Sequence, residues 1–255
     1  MGILNVTPDS FSDGGRFLEP AVAIAHATEI AAAGADILDI GAESTRPYGG
    51  AVPVTADDEK ARLALILPAV VKLGLPVSID TIKASIAAWA IDQGARIVND
   101  VWGLQRDSDM APLVAKHGVP VIVMHNRDAA DASINIVAEV NAFFVRSLEI
   151  AARAGIAREN IILDPGIGFG KTAEQSIVCI ARLAEFRHFN LPLLVGASRT
   201  RFINTVTPSN PQERIGGSIS AHWLAVENGA SIVRAHDVKE TVQALRIAAA
   251  IGAAR

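Results

Sequence analysis

Short apolar runs rich in β-branched residues alternate along the chain with longer, Ala-rich amphipathic stretches. The short runs predict strands, because a strand that is buried on both faces reads as a continuous Val/Ile/Leu segment. The longer stretches repeat apolar residues at the spacing of one helix face. Strands are predicted at residues 2–6, 36–40, 76–80, 96–100, 120–125, 160–164, 192–196 and 231–234. Helices are predicted near residues 19–33, 56–73, 83–93, 108–117, 133–154, 173–186, 211–228 and 237–251.

Strand and helix thus repeat eight times over 255 residues, which is the pattern of a (β/α)8 barrel. Several predicted helices end in a Gly just before the next strand, as at Gly34 and Gly94, and Gly accepts the left-handed backbone of a helix C-terminus. We therefore predict a single α/β domain, a TIM barrel, over residues 1–255. A doubly wound open sheet is the main alternative, but it normally carries G-x-G-x-x-G after an early strand, and this sequence has none there.

Composition narrows the class of protein. Half of the residues are hydrophobic and a fifth are charged, so a sizeable core is expected. The formal net charge of -4, without a Lys/Arg run, argues against a nucleic-acid-binding surface. The single Cys179 excludes an intrachain disulfide. No apolar run approaches the roughly 18 residues that span a bilayer, and Met1 opens no secretory signal. We expect a soluble, cytoplasmic chain without nucleic-acid or membrane partners.

Polar side chains follow nearly every predicted strand. In a (β/α)8 barrel the carboxyl ends of all strands open onto one face, where active sites are built. Capping of the following helices is the alternative reading, and it explains one or two positions. A shared site explains the whole set better. The residues are Asn5, the segment from Glu43 to Arg46, Asp80, Asn99, His125, Asp164, Ser198 with Arg199, and Arg234 with His236.

Two cationic groups come from opposite ends of the chain. Arg46 stands in S-T-R-P, and Arg234 with His236 stands in V-R-A-H-D-V. A guanidinium matches phosphate oxygens with a forked pair of donors. Asn5 offers a neutral oxygen, a modest ligand for Mg2+, which keeps most of its waters and binds substrate phosphates. Either Arg alone would be read as a surface ion pair, but together these residues predict a polyphosphate site with Mg2+ at the mouth of the barrel.

Asp80, Asn99 and Asp164 end strands whose other residues are largely apolar, so their side chains are expected deep in the barrel. A buried carboxylate is unfavourable unless donors reach it. Two acids and an amide suit a flat ligand with N–H donors and a carbonyl, such as an aminopyrimidinone ring. A metal-binding carboxylate pair is an alternative that the spacing leaves open. Asp164 also begins D-P-G-I-G-F-G-K, a Gly-rich turn that would bring backbone close to a ligand and present Phe169.

Eight stretches, in order from residue 3 to residue 238, resemble the dihydropteroate synthase family. The opening loop and E-S-T-R-P are the most specific of them. The stretches are I-L-N-V-T-P-D-S-F-S-D-G-G, G-A-D-I-L-D-I-G-A-E-S-T-R-P, V-S-I-D-T, I-V-N-D, V-M-H, L-D-P-G-I-G-F-G-K, G-A-S-R and R-A-H-D-V.

The resemblance implies a (β/α)8 barrel and a transferase of folate biosynthesis. The family joins 6-hydroxymethyl-7,8-dihydropterin diphosphate to p-aminobenzoate with the help of Mg2+, and diphosphate is thought to leave before the amine attacks. Sulfonamides inhibit the family, and its members are commonly dimeric. A homodimer with these small-molecule ligands is therefore expected.

Residue roles follow from the resemblance position by position. Catalytic roles fall to Asp80, Asp164, Arg234 and His236. The pterin contacts are Asp80, Asn99, Met124, Asp164 and Gly196. Diphosphate is assigned to Asn5, Arg46, Arg234 and His236, with Asn5 also on the metal. The aminobenzoate side is Thr45, Arg46, Pro47, Phe169, Ser198 and Arg201. A mobile lid over diphosphate and metal is expected in the first loop, at Thr7, Asp9, Ser10, Phe11, Ser12 and Asp13.

The chain departs from the family pattern at one position. The family usually reads S-R-K after the seventh strand, with the Lys reaching the pterin, and here Thr200 stands at the Lys position. Arg199 or Arg201 would then have to reach round, or the chain is slow or has another role. The rival readings are a non-catalytic pterin-binding relative, a barrel that transfers methyl groups from methyl-folate, and a metal-dependent aldolase that would use a carboxylate and His125.

Overall fold

A computed structural model describes residues 1–6, 20–43 and 54–254 of the chain. Each predicted strand is present there, and all the strands pair in parallel and in chain order. The first six form one sheet and the last two form a second. The strands are β1 (Gly2–Asn5), β2 (Leu38–Gly41), β3 (Val77–Asp80), β4 (Ile97–Asp100), β5 (Val121–Met124), β6 (Ile161–Asp164), β7 (Leu194–Val195) and β8 (Ile232–Val233).

Backbone hydrogen bonds close these two sheets into one cylinder. The Leu163 amide of β6 donates to the Pro192 carbonyl at 2.9 Å, which joins β6 to the segment that leads into β7. On the other side the Ala235 amide donates to the Met1 carbonyl at 3.0 Å, and the Ile3 amide donates to the Ala235 carbonyl at 3.1 Å. The described residues therefore form a single-domain (β/α)8 barrel, and the predicted fold class is confirmed.

Helices follow the strands and surround the cylinder. Short 3-10 helices lie at Arg158–Asn160, Leu183–Phe189 and Pro211–Glu213. The α-helices within the described residues are α1 (Pro20–Ala32), α2 (Ala56–Ala64), α3 (Leu67–Val71), α4 (Ala84–Asp92), α5 (Met110–His117), α6 (Ile136–Ala154), α7 (Ala173–Ala181), α8 (Arg201–Val206), α9 (Ile215–Glu227) and α10 (Val238–Ala253).

The helix predictions were wrong in three places. The region predicted as one helix over 56–73 is α2 followed by α3, because Pro68 has no N–H to donate and its ring clashes with the preceding turn. The short helix α8 after β7 was missed. The region 173–186 ends its α-helix at Ala181 and continues as a 3-10 helix.

Two layers of side chains fill the barrel. Side chains two positions apart on a strand point to the same face, so one inward-facing set repeats with a period of two. The lower layer is an apolar cluster of Ile97, Ile122 and Leu194 packed with Met1, Ile37, Ile162 and Ile232. Two positions further along the same segments stand Asn99, Met124, Gly196, Ile3, Asp39, Asp164 and Arg234. The upper layer is therefore largely polar, and it lies towards the carboxyl ends of the strands, where a barrel builds its site.

The other faces of the strands belong to the main hydrophobic core, which lies between the sheet and the helices. This core includes Leu4, Ile40, Ile79, Val123 and Leu163 from the strands. Among the described helices, none is both long enough and apolar enough to cross a lipid bilayer.

Candidate active site

Three strands place polar side chains in the upper layer of the barrel. Asp80 is the last residue of β3, Asn99 is the third residue of β4, and Asp164 is the last residue of β6. All three are buried. The sequence predicted that these residues would lie deep in the barrel, and the structure places them there.

The guanidinium of Arg234 crosses the barrel from the end of β8. Its Nε donates to Asp39 Oδ2 at 2.6 Å, and its Nη2 donates to Asp80 Oδ2 at 3.0 Å. Asn99 Nδ2 donates to the same Asp39 oxygen at 3.2 Å. Arg234 was expected with the cations at the rim. It lies instead between two buried carboxylates, because it shares the inward-facing parity of Asp39 and Asn99.

Asp39 is the residue of this cluster that the sequence analysis missed. It is fully buried, with 0% of its surface exposed, and it lies inside β2 rather than after it. The signal was present in the run D-I-L-D-I, where an acid interrupts an apolar strand. A carboxylate inside such a strand needs a cation or a hydrogen-bond donor as its partner. That partner is Arg234, which comes close to Asp39 only once the chain has folded.

Burial raises the pKa of two acids in this layer. The pKa of Asp80 is raised, mainly by burial and then by the neighbouring charge of Asp39, while Arg234 opposes the shift. Burial raises the pKa of Asp164 to about 6, although the Gly166 amide donates to its Oδ1 at 2.7 Å and favours the ionised form. One guanidinium thus pairs with two buried acids, Asp39 and Asp80. A ligand that brings charge or hydrogen-bond donors next to them would therefore change their protonation.

Three buried oxygens in this cluster have no hydrogen-bond partner within the part of the chain that the structure describes. They are Asp39 Oδ1, Asp80 Oδ1 and Asn99 Oδ1. An unpaired buried acceptor costs about 1–3 kcal/mol. The arrangement is therefore suited to a ligand that brings hydrogen-bond donors into the barrel.

The Gly-rich turn after β6 is fixed by a buried lysine. Lys171 Nζ donates to the carbonyls of Gly166 at 2.8 Å and Phe169 at 3.0 Å, and it lies 2.7 Å from His125 Nδ1. Burial lowers the pKa of Lys171 to about 8 and that of His125 to about 2, so the imidazole is neutral. This lysine ends the Gly-rich motif D-P-G-I-G-F-G-K, and the motif alone predicts no role for it. The structure shows that it ties the turn to the end of β5.

Gly166 is required by the backbone at this turn. Its φ is +65°, and a Cβ there would lie 2.0 Å from the His125 carbonyl oxygen. The same Cβ would approach Met124 Cγ at 3.3 Å. The turn that holds Asp164 thus packs directly on the end of β5, and this brings Met124 to the same side of the barrel.

Two further loops meet beside the polar layer. Ser198 Oγ accepts from the His236 amide at 3.1 Å and lies 3.0 Å from His236 Nδ1, so the segments after β7 and β8 are joined. Arg199 Nε donates to Asp237 Oδ2 at 3.0 Å, and Thr200 Oγ1 donates to the Ala197 carbonyl at 2.9 Å. Arg199 is therefore bonded to the segment after β8 through Asp237.

The remaining predicted residues divide into two groups. Asn5 ends β1 opposite Gly41, which in turn pairs with Asp80, so Asn5 stands two strands from Asp80. Gly196 adjoins Arg234, half-buried Phe169 lies in the Gly-rich turn, and Arg201 begins α8 with its side chain exposed. The predictions for Thr7, Asp9, Ser10, Phe11, Ser12, Asp13, Thr45, Arg46 and Pro47 fall outside the described residues.

A metal-dependent aldolase would need a compact carboxylate and histidine cluster. Among residues 1–6, 20–43 and 54–254, no group of three or more His, Cys, Asp or Glu side chains is placed to hold a metal ion. His125 is occupied by Lys171 and packs edge-on against Phe143, with ring centroids 4.9 Å apart. The described residues therefore do not support that alternative.

Comparison with protein families gives a match over most of the chain. A family model described as pterin binding enzyme matches residues 1–236. Dihydropteroate synthase of Bacillus subtilis is 44% identical over 241 residues, which cover 94% of this chain and 84% of that protein. Dihydropteroate synthase of Escherichia coli is 42% identical over 254 residues, covering 97% and 89%.

Solved structures show the same likeness. Dihydropteroate synthase of Xanthomonas albilineans in complex with 7,8-dihydropteroate superposes with a TM-score of 0.90 at 38% identity, covering 99% of this chain and 92% of that one. The Yersinia pestis enzyme in complex with a sulfonamide drug gives a TM-score of 0.92 at 38% identity, covering 100% and 93%.

Replacing Asp39 tests the cross-barrel ion pair. We expect Asp39→Asn to lower the free energy of unfolding by roughly 3–5 kcal/mol, because it leaves Arg234 buried with one carboxylate instead of two. Asp36→Asn, at an exposed position of the same sequence run, should change it by less than about 0.5 kcal/mol. Urea unfolding measures the free energy of unfolding of both variants. Equal losses in the two variants would show that the contact between Asp39 and Arg234 does not stabilise the fold.

The buried carboxyl of Asp164 predicts a pH dependence of stability. The folded state keeps its proton up to a pKa of about 6, whereas the unfolded chain releases it near 3.8. The folded state therefore binds more protons in that window, and the contribution of Asp164 to the free energy of unfolding falls as the pH rises from about 4 to about 6. Relative to wild type, Asp164→Asn should gain stability across the same window. Urea unfolding at several pH values measures this, and a difference that stays constant with pH contradicts it.

Proposed function

The chain belongs to the pterin-binding enzyme family, and from this membership we propose that it acts as a dihydropteroate synthase, a transferase. In the proposed reaction, 6-hydroxymethyl-7,8-dihydropterin diphosphate and p-aminobenzoate give 7,8-dihydropteroate and diphosphate. The bond from the pterin methylene carbon to the diphosphate oxygen breaks. A new bond forms from that carbon to the aminobenzoate nitrogen, which loses a proton.

The structural observation that supports the proposal beside family membership is the set of unpaired acceptors inside the barrel. Asp80 Oδ1 and Asn99 Oδ1 are buried and lack donors among the described residues. An aminopyrimidinone ring has an amino group and ring N–H groups along its edges, and these match carboxylate and amide acceptors. Asp164 on β6 supplies a further acid from another side of the same layer.

Charge in this layer would then serve the reaction. A donor from the pterin favours the ionised form of a carboxylate, so ligand binding opposes the upward pKa shifts of Asp80 and Asp164. The ionised acids would stabilise positive charge that develops on the pterin as diphosphate leaves. In this mechanism departure of the leaving group precedes attack by the amine, because the charge on the methylene spreads into the ring. The aniline nitrogen needs no strong base.

The departing diphosphate would be received at the mouth of the barrel. We assign this role to Asn5, Arg46 and His236 at the mouth, and to Arg234 below them, whose guanidinium is also bonded to Asp39 and Asp80. Ser198 supports it by fixing the imidazole of His236 through Nδ1. The aminobenzoate side would be formed by Thr45, Arg46, Pro47, Phe169, Ser198 and Arg201. The loops after β6 and β7 adjoin there, since a Cβ on Gly168 would lie 3.8 Å from Thr200 Cγ2.

Mg2+ is proposed as the cofactor, with Asn5 as its protein ligand. An ion that keeps several waters and binds substrate phosphates needs only one or two protein oxygens, so Asn5 with the diphosphate oxygens would be a sufficient ligand set. When bound, Mg2+ would neutralise negative charge on the diphosphate. We also propose that sulfonamides compete with p-aminobenzoate at the aminobenzoate side. We further propose that the chain forms a homodimer.

A direct assay tests the proposed function. We expect release of diphosphate that depends on p-aminobenzoate, together with 7,8-dihydropteroate detected by mass spectrometry. Asp164→Asn should lower kcat/KM by about 100-fold, the magnitude typical of removing one group that stabilises transition-state charge. Asp92→Asn, at an exposed position at the end of α4, should have no effect. Binding of the pterin diphosphate without product would instead support a non-catalytic relative, and turnover of methyl-folate would support the methyltransferase alternative.

Thr200 gives a second prediction. Its hydroxyl is bonded to the Ala197 carbonyl, and Arg199 is bonded to Asp237. We propose that the pterin therefore lacks the cationic donor that the family lysine supplies. We expect Thr200→Lys to raise kcat/KM by about tenfold, because a hydrogen bond from a charged group contributes roughly 1.5–3 kcal/mol. Thr200→Ser should stay close to wild type. An unchanged or lower kcat/KM for Thr200→Lys would show that this chain has compensated for the family lysine.

A further inference from the structure

One face of α9 packs against the loop after β7, residues 197–200. Arg214 immediately precedes α9, and Ser218 and His222 follow it at intervals of four residues, so the three side chains lie on the same face of the helix. All three are buried. Buried polar groups need hydrogen-bond partners, and each of these side chains has a partner in the loop. We call the three residues the polar row of α9.

The polar row binds the backbone of the loop at three points. The Arg199 amide donates to Ser218 Oγ at 2.9 Å, and the Ala197 amide donates to His222 Nε2 at 3.3 Å. Arg214 Nη1 donates to the Arg199 carbonyl at 3.0 Å. The loop is therefore bonded to α9 on both sides of its central residue.

The polar row is itself held in place. Arg214 donates to the Ser209 carbonyl through Nε at 3.2 Å and through Nη2 at 2.8 Å. Ser218 Oγ donates to the Arg214 carbonyl at 2.7 Å, so its hydroxyl is oriented with a lone pair free for the loop. Burial lowers the pKa of His222 to about 4, so the ring is neutral near pH 7 and Nε2 stays an acceptor.

The loop has a backbone conformation that needs this support. The φ of Arg199 is +56°, in the left-handed region that is unfavourable for a residue with a Cβ. Thr200 Oγ1 donates to the Ala197 carbonyl at 2.9 Å and closes the loop into a turn. Unfavourable backbone conformations persist where the surrounding structure fixes them, and they are concentrated at functional sites.

Ser198 is the residue that this turn places. It lies between Ala197 and Arg199, whose amides are both bonded to α9, so it cannot shift without loss of one of these bonds. Ser198 Oγ accepts from the His236 amide at 3.1 Å and lies 3.0 Å from His236 Nδ1. A change in the polar row would therefore reach both Ser198 and His236.

From this arrangement we propose that Ser218, with Arg214 and His222, is a positioning residue of the reaction. The polar row holds Ser198 where p-aminobenzoate binds and, through Ser198, orients His236. It touches neither substrate. The identity of the ligand rests on the proposed function. In the competing interpretation the polar row only satisfies buried backbone groups and stabilises the fold, and a comparison of the two Michaelis constants separates these readings.

Ser218→Ala removes the acceptor of the Arg199 amide. We expect the KM for p-aminobenzoate to rise about tenfold, because Ser198 would no longer be held in the binding geometry. The KM for the pterin diphosphate should change by less than about twofold, since the proposed pterin contacts lie mainly on β3, β4 and β6. Arg214→Met should give the same split.

Asn228→Ala is the matched control. It removes the hydrogen bond of 3.0 Å from Asn228 Nδ2, at the other end of α9, to the Ile180 carbonyl. This variant loses a contact of the same helix without touching the loop, so both KM values should stay at the wild-type level. Equal changes of KM in Ser218→Ala and Asn228→Ala, or unchanged KM for p-aminobenzoate in Ser218→Ala, would overturn the proposal.

Amide hydrogen exchange, followed by NMR in the full chain, tests the loop without turnover. In Ser218→Ala the Ala197 amide should exchange about tenfold faster, although its acceptor His222 is unchanged, because the loop opens as a unit. In Asn228→Ala it should exchange as in wild type. An unaltered rate at Ala197 in Ser218→Ala contradicts the inference. A wild-type chain that forms no product would refute the proposed function instead, and the exchange rates would still decide whether α9 holds the loop.

Discussion

The guanidinium of Arg234 between the carboxylates of Asp39 and Asp80 is the interaction on which the polar interior of this barrel depends. Two acids buried in a closed sheet would repel each other and lose their hydration, and a single cation reduces both penalties. Its forked geometry lets Nε and Nη2 reach different acids at once. The same contact links β8 to β2 and β3 across the interior, so it joins strands that share no backbone hydrogen bond.

That interaction leaves the cluster incompletely satisfied. Oxygens of Asp39, Asp80 and Asn99 still lack donors within the described part of the chain, and burial keeps the pKa of Asp80 and Asp164 above the usual range. A fully paired cluster would be more stable, but it would leave no free hydrogen-bond acceptor for a ligand. The unpaired acceptors and the raised pKa values therefore belong together, as strain that binding can relieve.

The loops around this layer are fixed by contacts that differ from one another. Lys171 holds the Gly-rich turn through two carbonyls and the ring of His125, and Ser198 joins the segments after β7 and β8 through His236. Arg199 is bound to Asp237. The chain thus uses its buried lysine and one of its arginines to shape loops.

The sequence by itself determined the strands, the parallel order and the identity of Asp80, Asn99 and Asp164 as inward-facing residues. Strand runs, the period of two and Gly at turns are local properties, so they can be read within a few residues. The break at Pro68 is equally local and was overlooked. The tertiary structure alone decided that Asp39 joins the site, that Arg234 lies between acids rather than at the rim, and that Lys171 binds the Gly-rich turn. Arg234 is 195 residues from Asp39 and 154 from Asp80. Contacts at such separations exist only after the sheet has closed, because closure is what brings the inward faces of distant strands within hydrogen-bonding distance.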